Sequence, residues 1–157
     1  MNLFVRDLTV IDSSYICEHR GVVGDSWILD VTMSGELNEM SMVLDFSRVK
    51  KQIKNLVDQY VDHRLLLPMK NAAIVHQASK PGYAKVDVLR GDKSLHLHCP
   101  DEAYCLVDAE AITTPSVTSH GYDTLRDNIP SKETRMEHTH PHTHKHTQTQ
   151  RHTHTHY

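Results

Sequence analysis

Cysteine, aromatic side chains and long apolar runs are all scarce in this chain. Its three cysteines, Cys17, Cys99 and Cys105, are odd in number and form no Cys-x-x-Cys pair. That argues against a disulfide framework and for a reducing compartment, so a cytoplasmic protein is expected. The opening "MNLFVRDLTV" is broken by Arg6 and Asp7 before an apolar secretory core can form. No run approaches the roughly 20 apolar residues of a membrane span, so no membrane partner is expected. An excess of charge is lacking too. Seventeen basic and twenty acidic side chains leave a net charge of −3, which gives no support for nucleic acid as a partner.

The 157 residues suffice for one domain with a real core. "LFVRDLTVI" is rich in β-branched and aromatic residues and reads as a first strand. In "SWILDVTMSGEL", Trp27, Leu29, Val31 and Met33 alternate with Ser26, Ile28, Asp30, Thr32 and Ser34, a half-buried strand that ends at Gly35. An irregular stretch, residues 12–25, is expected between these two. The period then changes. In "DFSRVKKQIKNLVDQYVDH", Phe46, Val49, Ile53, Leu56, Val57 and Tyr60 make one helical stripe, with Asp45 or Ser47 as cap. Pro68 limits continuation of that helix past "LLLP". "AAIVHQ", "YAKVDVL", "SLHLHC" and "AYCLVDAEAI" read as strands, with a hairpin turn at "RGDK" around Gly91. "TTPSVTSHGYDTLRDNIP" reads as a second helix capped by Thr114, with Pro115 at its first position and Pro130 after its end. The order predicts an α+β domain over residues 1–131, an antiparallel sheet with helices on one face.

Histidine is the abundant residue. Eight of the fourteen lie between His138 and the end, alternating almost strictly with threonine. A repeating CA dinucleotide contains only the His codon CAC and the Thr codon ACA. The tract at residues 132–157 therefore reads as a frameshift into such a repeat, a disordered tail without an apolar face. His138, His140, His142, His144, His146, His152, His154 and His156 would still bind Zn, Ni or Cu ions in vitro.

Three stretches together resemble the 6-pyruvoyl-tetrahydropterin synthase and 6-carboxytetrahydropterin synthase family, with its tunnelling (T-) fold. "MSMVLDFSRVKKQI" is similar to the family's Gly-Met-Val-x-Asp-Phe run, "VDHRLLLP" to its Leu-Asp-His-x-x-Leu-Asn, and "DSSYICEHRGVVGDSW" occupies its metal-ligand segment. The likeness spans roughly residues 3–68. It implies a T-fold missing its final strands, a zinc-dependent lyase and a small pterin substrate. It further implies a homo-oligomer or assembly with an intact relative.

The resemblance also implies site residues. Asp62 and His63 match the Asp–His proton-transfer pair, since a carboxylate can fix an imidazole's tautomer and steady its charged form. The same two residues also fit a plain helix terminus, with His63 near its negative end. Cys17 lies near the family's nucleophile segment, though off its spacing, and also fits a small buried hydrophobe. The family's three zinc-binding imidazoles fall here on Tyr15, Val23 and Asp25, so only Tyr15 and Asp25 offer a donor atom. His19 reads as a solvated loop residue, and His96 and His98 as a solvent-facing strand surface. The implied reaction consumes 7,8-dihydroneopterin triphosphate and releases triphosphate and acetaldehyde, in queuosine-type deazapurine synthesis. Two other readings stand beside it: a non-catalytic T-fold subunit, and a metal-buffering protein acting through the tail.

Overall fold

The computed structural model describes the backbone of residues 2–34, 39–128 and 138–145, and the side chains of residues 4–32 and 47–128. Two long strands, β1 (Asn2–Cys17) and β2 (Gly21–Ser34), form an antiparallel hairpin. Helix α1 (Glu39–Tyr60) follows, then β3 (Leu65–Pro68), and a small meander of β4 (Ile74–Ala78), β5 (Tyr83–Arg90) and β6 (Lys93–Pro100). A short 3₁₀ turn leads into β7 (Tyr104–Val107), α2 (Thr114–Asn128) and β8 (His138–Lys145). The large sheet has the order β7-β3-β1-β2-β8, and the small one β4-β5-β6.

Two cores follow from how the strands divide their side chains. Trp27, Leu29 and Val31 of β2 alternate onto the helix side. There they meet Val49, Ile53 and Val57, the stripe of α1, and Val117 and Leu125 of α2. Each aliphatic side chain so buried is worth about 1.5–3 kcal/mol. Ile16, Leu67 and Tyr104 leave the opposite side of the large sheet and pack on Val86 and Val88 of the meander. Because β3 is covered on both faces, it reads as the unbroken run "LLLP" rather than as an alternation. β1, β3 and β7 run parallel at this edge, whereas all other pairs are antiparallel.

Several expectations are corrected. The stretch 12–25 is not irregular. Both strands run through it, leaving only Glu18, His19 and Arg20 as the turn. Polar Ser13 is tolerated inside because its hydroxyl donates to the Val61 carbonyl at 2.7 Å. α1 starts at Glu39, ahead of Asp45 and Ser47. The cap of α2 is Thr113, whose side chain accepts from the Ser116 amide while Ser116 Oγ accepts from the Thr113 amide.

The expectation of disorder fails for residues 138–145, and with it the expectation that no strand follows the second helix. β8 pairs antiparallel with β2 over its whole length. Threonine and an alternating sequence suit a strand, and the exposed edge of β2 supplies backbone partners that need no apolar face. The other tail histidines, His146, His152, His154 and His156, lie outside the described residues. No helix among the described residues is long and apolar enough to cross a membrane.

Candidate functional site

Helix α1 ends where β1 can clasp it. The amides of Val61 and Asp62 both donate to the Val57 carbonyl, closing the last turn. His63 then reverses the chain into β3 at φ +59°, a left-handed conformation that costs a non-glycine residue about 1–2 kcal/mol. Three bonds hold this bend against β1: His63 N–H to the Asp12 carbonyl at 2.8 Å, Ser14 N–H to the Arg64 carbonyl at 3.1 Å, and the Ser13 hydroxyl already described.

Asp62 is the pivot. One carboxylate oxygen accepts the Asp12 amide at 2.8 Å, and the other lies 3.3 Å from His63 Nε2. The carboxylate is nearly buried, at 14% exposure, while the imidazole is 77% exposed. The ring lines an open cavity of about 640 Å³ together with Asp25, Arg64, Ser14 and Leu97. A fixed carboxylate behind an accessible imidazole is an arrangement that can take and return a proton. Strain at such a residue is what a built site commonly carries.

The positions matching the family's ligands also converge. Tyr15 is opposite Val23 and Ser13 opposite Asp25, so all share the helix-side face with Trp27. Their chemistry has changed. Tyr15 is buried, with its ring 6.0 Å from that of Trp27, and Val23 packs on the same core cluster. Of the three ligand positions, Asp25 is the one that lines the cavity. Among the described residues no three His, Cys, Asp or Glu side chains gather to hold a metal. The residues present therefore do not fit a zinc ion at these positions, and Tyr15 serves as packing.

The remaining candidates separate. Cys17 is half-buried, opposite Gly21, and packs against the helix-side core without joining the Asp62–His63 pair. His19 sits exposed in the hairpin turn beside Glu18 at 3.3 Å. The turn is held from outside by Arg90, which donates to the carbonyls of Glu18 and His19 and lies against Gly21. His96 and His98 share a face but have different partners: Asp87 at 2.6 Å for the first, Ser79 at 2.9 Å for the second. They do not converge on one ion.

A pair that the sequence reading missed lies across the helix-side core. Cys105 Sγ and His120 Nε2 are 3.3 Å apart. Burial pushes the thiol up to about 12, with Arg64 pulling slightly the other way. Burial likewise lowers the pKa of His120, partly offset by the Asp123 carboxylate. Both groups are thus neutral, which makes the pair a structural contact rather than a thiolate nucleophile. Cys105 inside "AYCLV" signals a core position, but nothing in the sequence links it to His120.

The family model for 6-pyruvoyl tetrahydropterin synthase matches residues 14–138, the stretch that carries both the clasped helix end and the ligand-position face. The chain belongs to this family. No protein of curated function matches it. Among solved structures, 6-pyruvoyl tetrahydropterin synthase from Plasmodium vivax is similar at 15% identity, with a TM-score of 0.65. The Plasmodium falciparum synthase is similar at 12% identity and a TM-score of 0.64. In each case 93% of this chain and 98% of the other are covered, so the likeness of fold extends over the whole unit. A family T-fold is accordingly what the α+β architecture is.

Proposed function

We propose that this chain acts in pterin metabolism and binds a dihydropterin triphosphate in the cavity beside His63, with Asp62 and His63 as its proton-transfer pair. The observation that carries this reading is the built dyad: a nearly buried carboxylate anchored on the Asp12 amide, behind an imidazole open to a cavity of about 640 Å³. His63 accepts a proton from a side-chain carbon that bears a hydroxyl, and Asp62 steadies the resulting imidazolium. Arg64 on the cavity wall supplies a cation for the triphosphate. The substrate of this reading is 7,8-dihydroneopterin triphosphate. The product is that of a 6-carboxytetrahydropterin synthase, a lyase of queuosine-type synthesis, with loss of triphosphate and acetaldehyde. No step is assigned to zinc, because Tyr15 and Val23 are not a zinc site.

A specific observation favours a second reading. Tyr15 and Val23 now fill the core, as befits a non-catalytic T-fold subunit assembled with copies of itself or with an intact relative. Binding and turnover of 7,8-dihydroneopterin triphosphate by the parent and by His63→Ala separate the two. The dyad reading expects turnover by the parent, abolished in His63→Ala with binding retained. Turnover unchanged in the variant would sink the site assignment. Binding without turnover in the parent would establish the non-catalytic subunit.

A further inference from the structure

The hairpin of β5 and β6 turns through Gly91 and Asp92, with Arg90 opposite Lys93. From that closing pair the register sets Leu89 against Ser94 and Asp87 against His96. The Leu89 amide donates to the Ala73 carbonyl on the β4 side, at 2.9 Å. Leu89–Ser94 and Asp87–His96 are therefore the pairs without mutual backbone bonds, in which side chains stand closest. Val86 and Val88 are buried on the inner face of the meander, and Leu95 and Leu97 pack against them. Asp87, Ser94 and His96 alternate with these residues and occupy the outer face, where Ser94 and His96 are exposed.

On that outer face three side chains form a chain of hydrogen bonds. Asp87 Oδ1 lies 2.6 Å from His96 Nδ1, and His96 Nε2 lies 3.0 Å from Ser94 Oγ. The carboxylate accepts the Nδ1 proton, which leaves the Nε2 lone pair facing the serine hydroxyl. We propose that these residues form a nucleophilic site that hydrolyses activated carboxylic esters, with Ser94 as nucleophile, His96 as base and Asp87 as positioning residue. The same order of groups has arisen on unrelated folds and is recognised by geometry and roles, not by place in the sequence. A donor for the developing oxyanion stands beside it. The Ser94 amide points away from β5, to the edge of β6 where no described strand pairs.

Ser94 Oγ bonds to the ester carbonyl carbon while its proton passes to His96 Nε2. The tetrahedral intermediate then expels the phenolate, which takes up that proton. Water attacks the acyl-Ser94 ester through the same imidazole, releases the acid and restores the hydroxyl. One ester and one water become one acid and one phenol. The surroundings select the substrate. The His96 side chain is 67% exposed, so water screens the oxyanion and the leaving group must be a good one, such as a phenol. Leu89 directly across from Ser94, and Val75 directly across from Asp87, are exposed on the same face and offer an apolar rest for a short acyl group. None of Asp87, Ser94 and His96 lines the cavity beside His63, which takes Leu97 from this strand, and the ester chemistry does not rest on the pterin reading.

The test is hydrolysis of p-nitrophenyl acetate by the full-length chain, together with mass-spectrometric mapping of the acetyl group after a short incubation. Exposed imidazoles hydrolyse this ester slowly on their own, and all fourteen histidines are kept in Ser94→Ala. The parent should exceed Ser94→Ala by about tenfold or more in kcat/KM and should carry an acetyl group on Ser94. His96→Gln should fall to the Ser94→Ala rate and lose that acetyl group. Asp87→Asn should keep KM and lower kcat, because it leaves Ser94 and the apolar rest in place and changes only the imidazole's tautomer. All three substitutions lie on the surface, where they cost little stability. Equal rates in the parent and Ser94→Ala, or acetyl groups on lysines with none on Ser94, would overturn the proposal and leave a hydrogen-bond chain that only braces the hairpin.

Discussion

The ligand-position face of the hairpin and the end of α1 meet β1 within a few residues of each other, yet they have opposite characters. Tyr15, Val23 and Trp27 occupy positions that β-register brings together on one face, and all three are given over to apolar packing. Asp62 and His63, brought to Asp12 by the end of the helix, remain polar, hydrogen-bonded and strained. Backbone register preserves where a group sits but not what it is. A valine can replace an imidazole at no cost in a core, whereas a left-handed histidine bonded to an aspartate persists only if its surroundings hold it there.

The difference can be broken first on the packed side, where the expected effect is largest. Trp27 is fully buried between Tyr15 and the helices, so Trp27→Ala should destabilise by about 3–5 kcal/mol in urea denaturation. Tyr15→Phe should cost less than about 1.5 kcal/mol, because shape and packing are kept. A large loss from Tyr15→Phe would mean that the hydroxyl does more than fill space.

The polar side should respond with two opposite signs. Asp62→Ala leaves the Asp12 amide without its acceptor and should cost about 1–3 kcal/mol. His63→Gly should instead stabilise by up to about 1 kcal/mol, since glycine adopts φ +59° without the steric penalty, while its lost imidazole removes any turnover. Denaturation midpoints at constant m-value check both. If His63→Gly is as destabilised as Asp62→Ala, the imidazole is a structural member of the clasp rather than a strained functional group.

What the sequence made legible was governed by period. The stripe of Val49, Ile53 and Val57 and the alternation of Trp27, Leu29 and Val31 each declare one buried face, and both stand as read. Asp62 and His63 adjoin in the sequence, so their place at the helix end needs no fold to be seen, whereas the bond from the Asp12 amide to Asp62 does. The extension of the hairpin through Asp12–Cys17 was not legible, since "DSS" reads as loop unless one knows that Val61 and Asp62 arrive to bond it. β8 was misread for a related reason: a strand added to an existing edge takes its stability from backbone pairing, so it need not display an apolar face. Cys105 and His120 are fifteen residues apart and meet only through packing.

That last contact gives the smallest effect, and its sign follows from burial. His120 has its pKa lowered in the folded chain, chiefly by desolvation and against the pull of Asp123. In the unfolded chain the same imidazole titrates near its ordinary value of about 6.5. Above that value both states are neutral and the contact with Cys105 is intact. As pH falls through about 6.5, the unfolded chain takes up a proton that the folded chain refuses, so stability declines until the folded group itself titrates. The Cys105 thiol beside it stays protonated through this range, because burial has pushed it up to about 12, so it offers no negative charge to a protonated imidazole. Denaturation midpoints measured from pH 7.5 to pH 5.5 should therefore fall more steeply for the parent than for His120→Gln, which has no proton to gain. Equal slopes would mean that water reaches His120 in the folded chain, and would place it with the exposed histidines of the meander instead of the core.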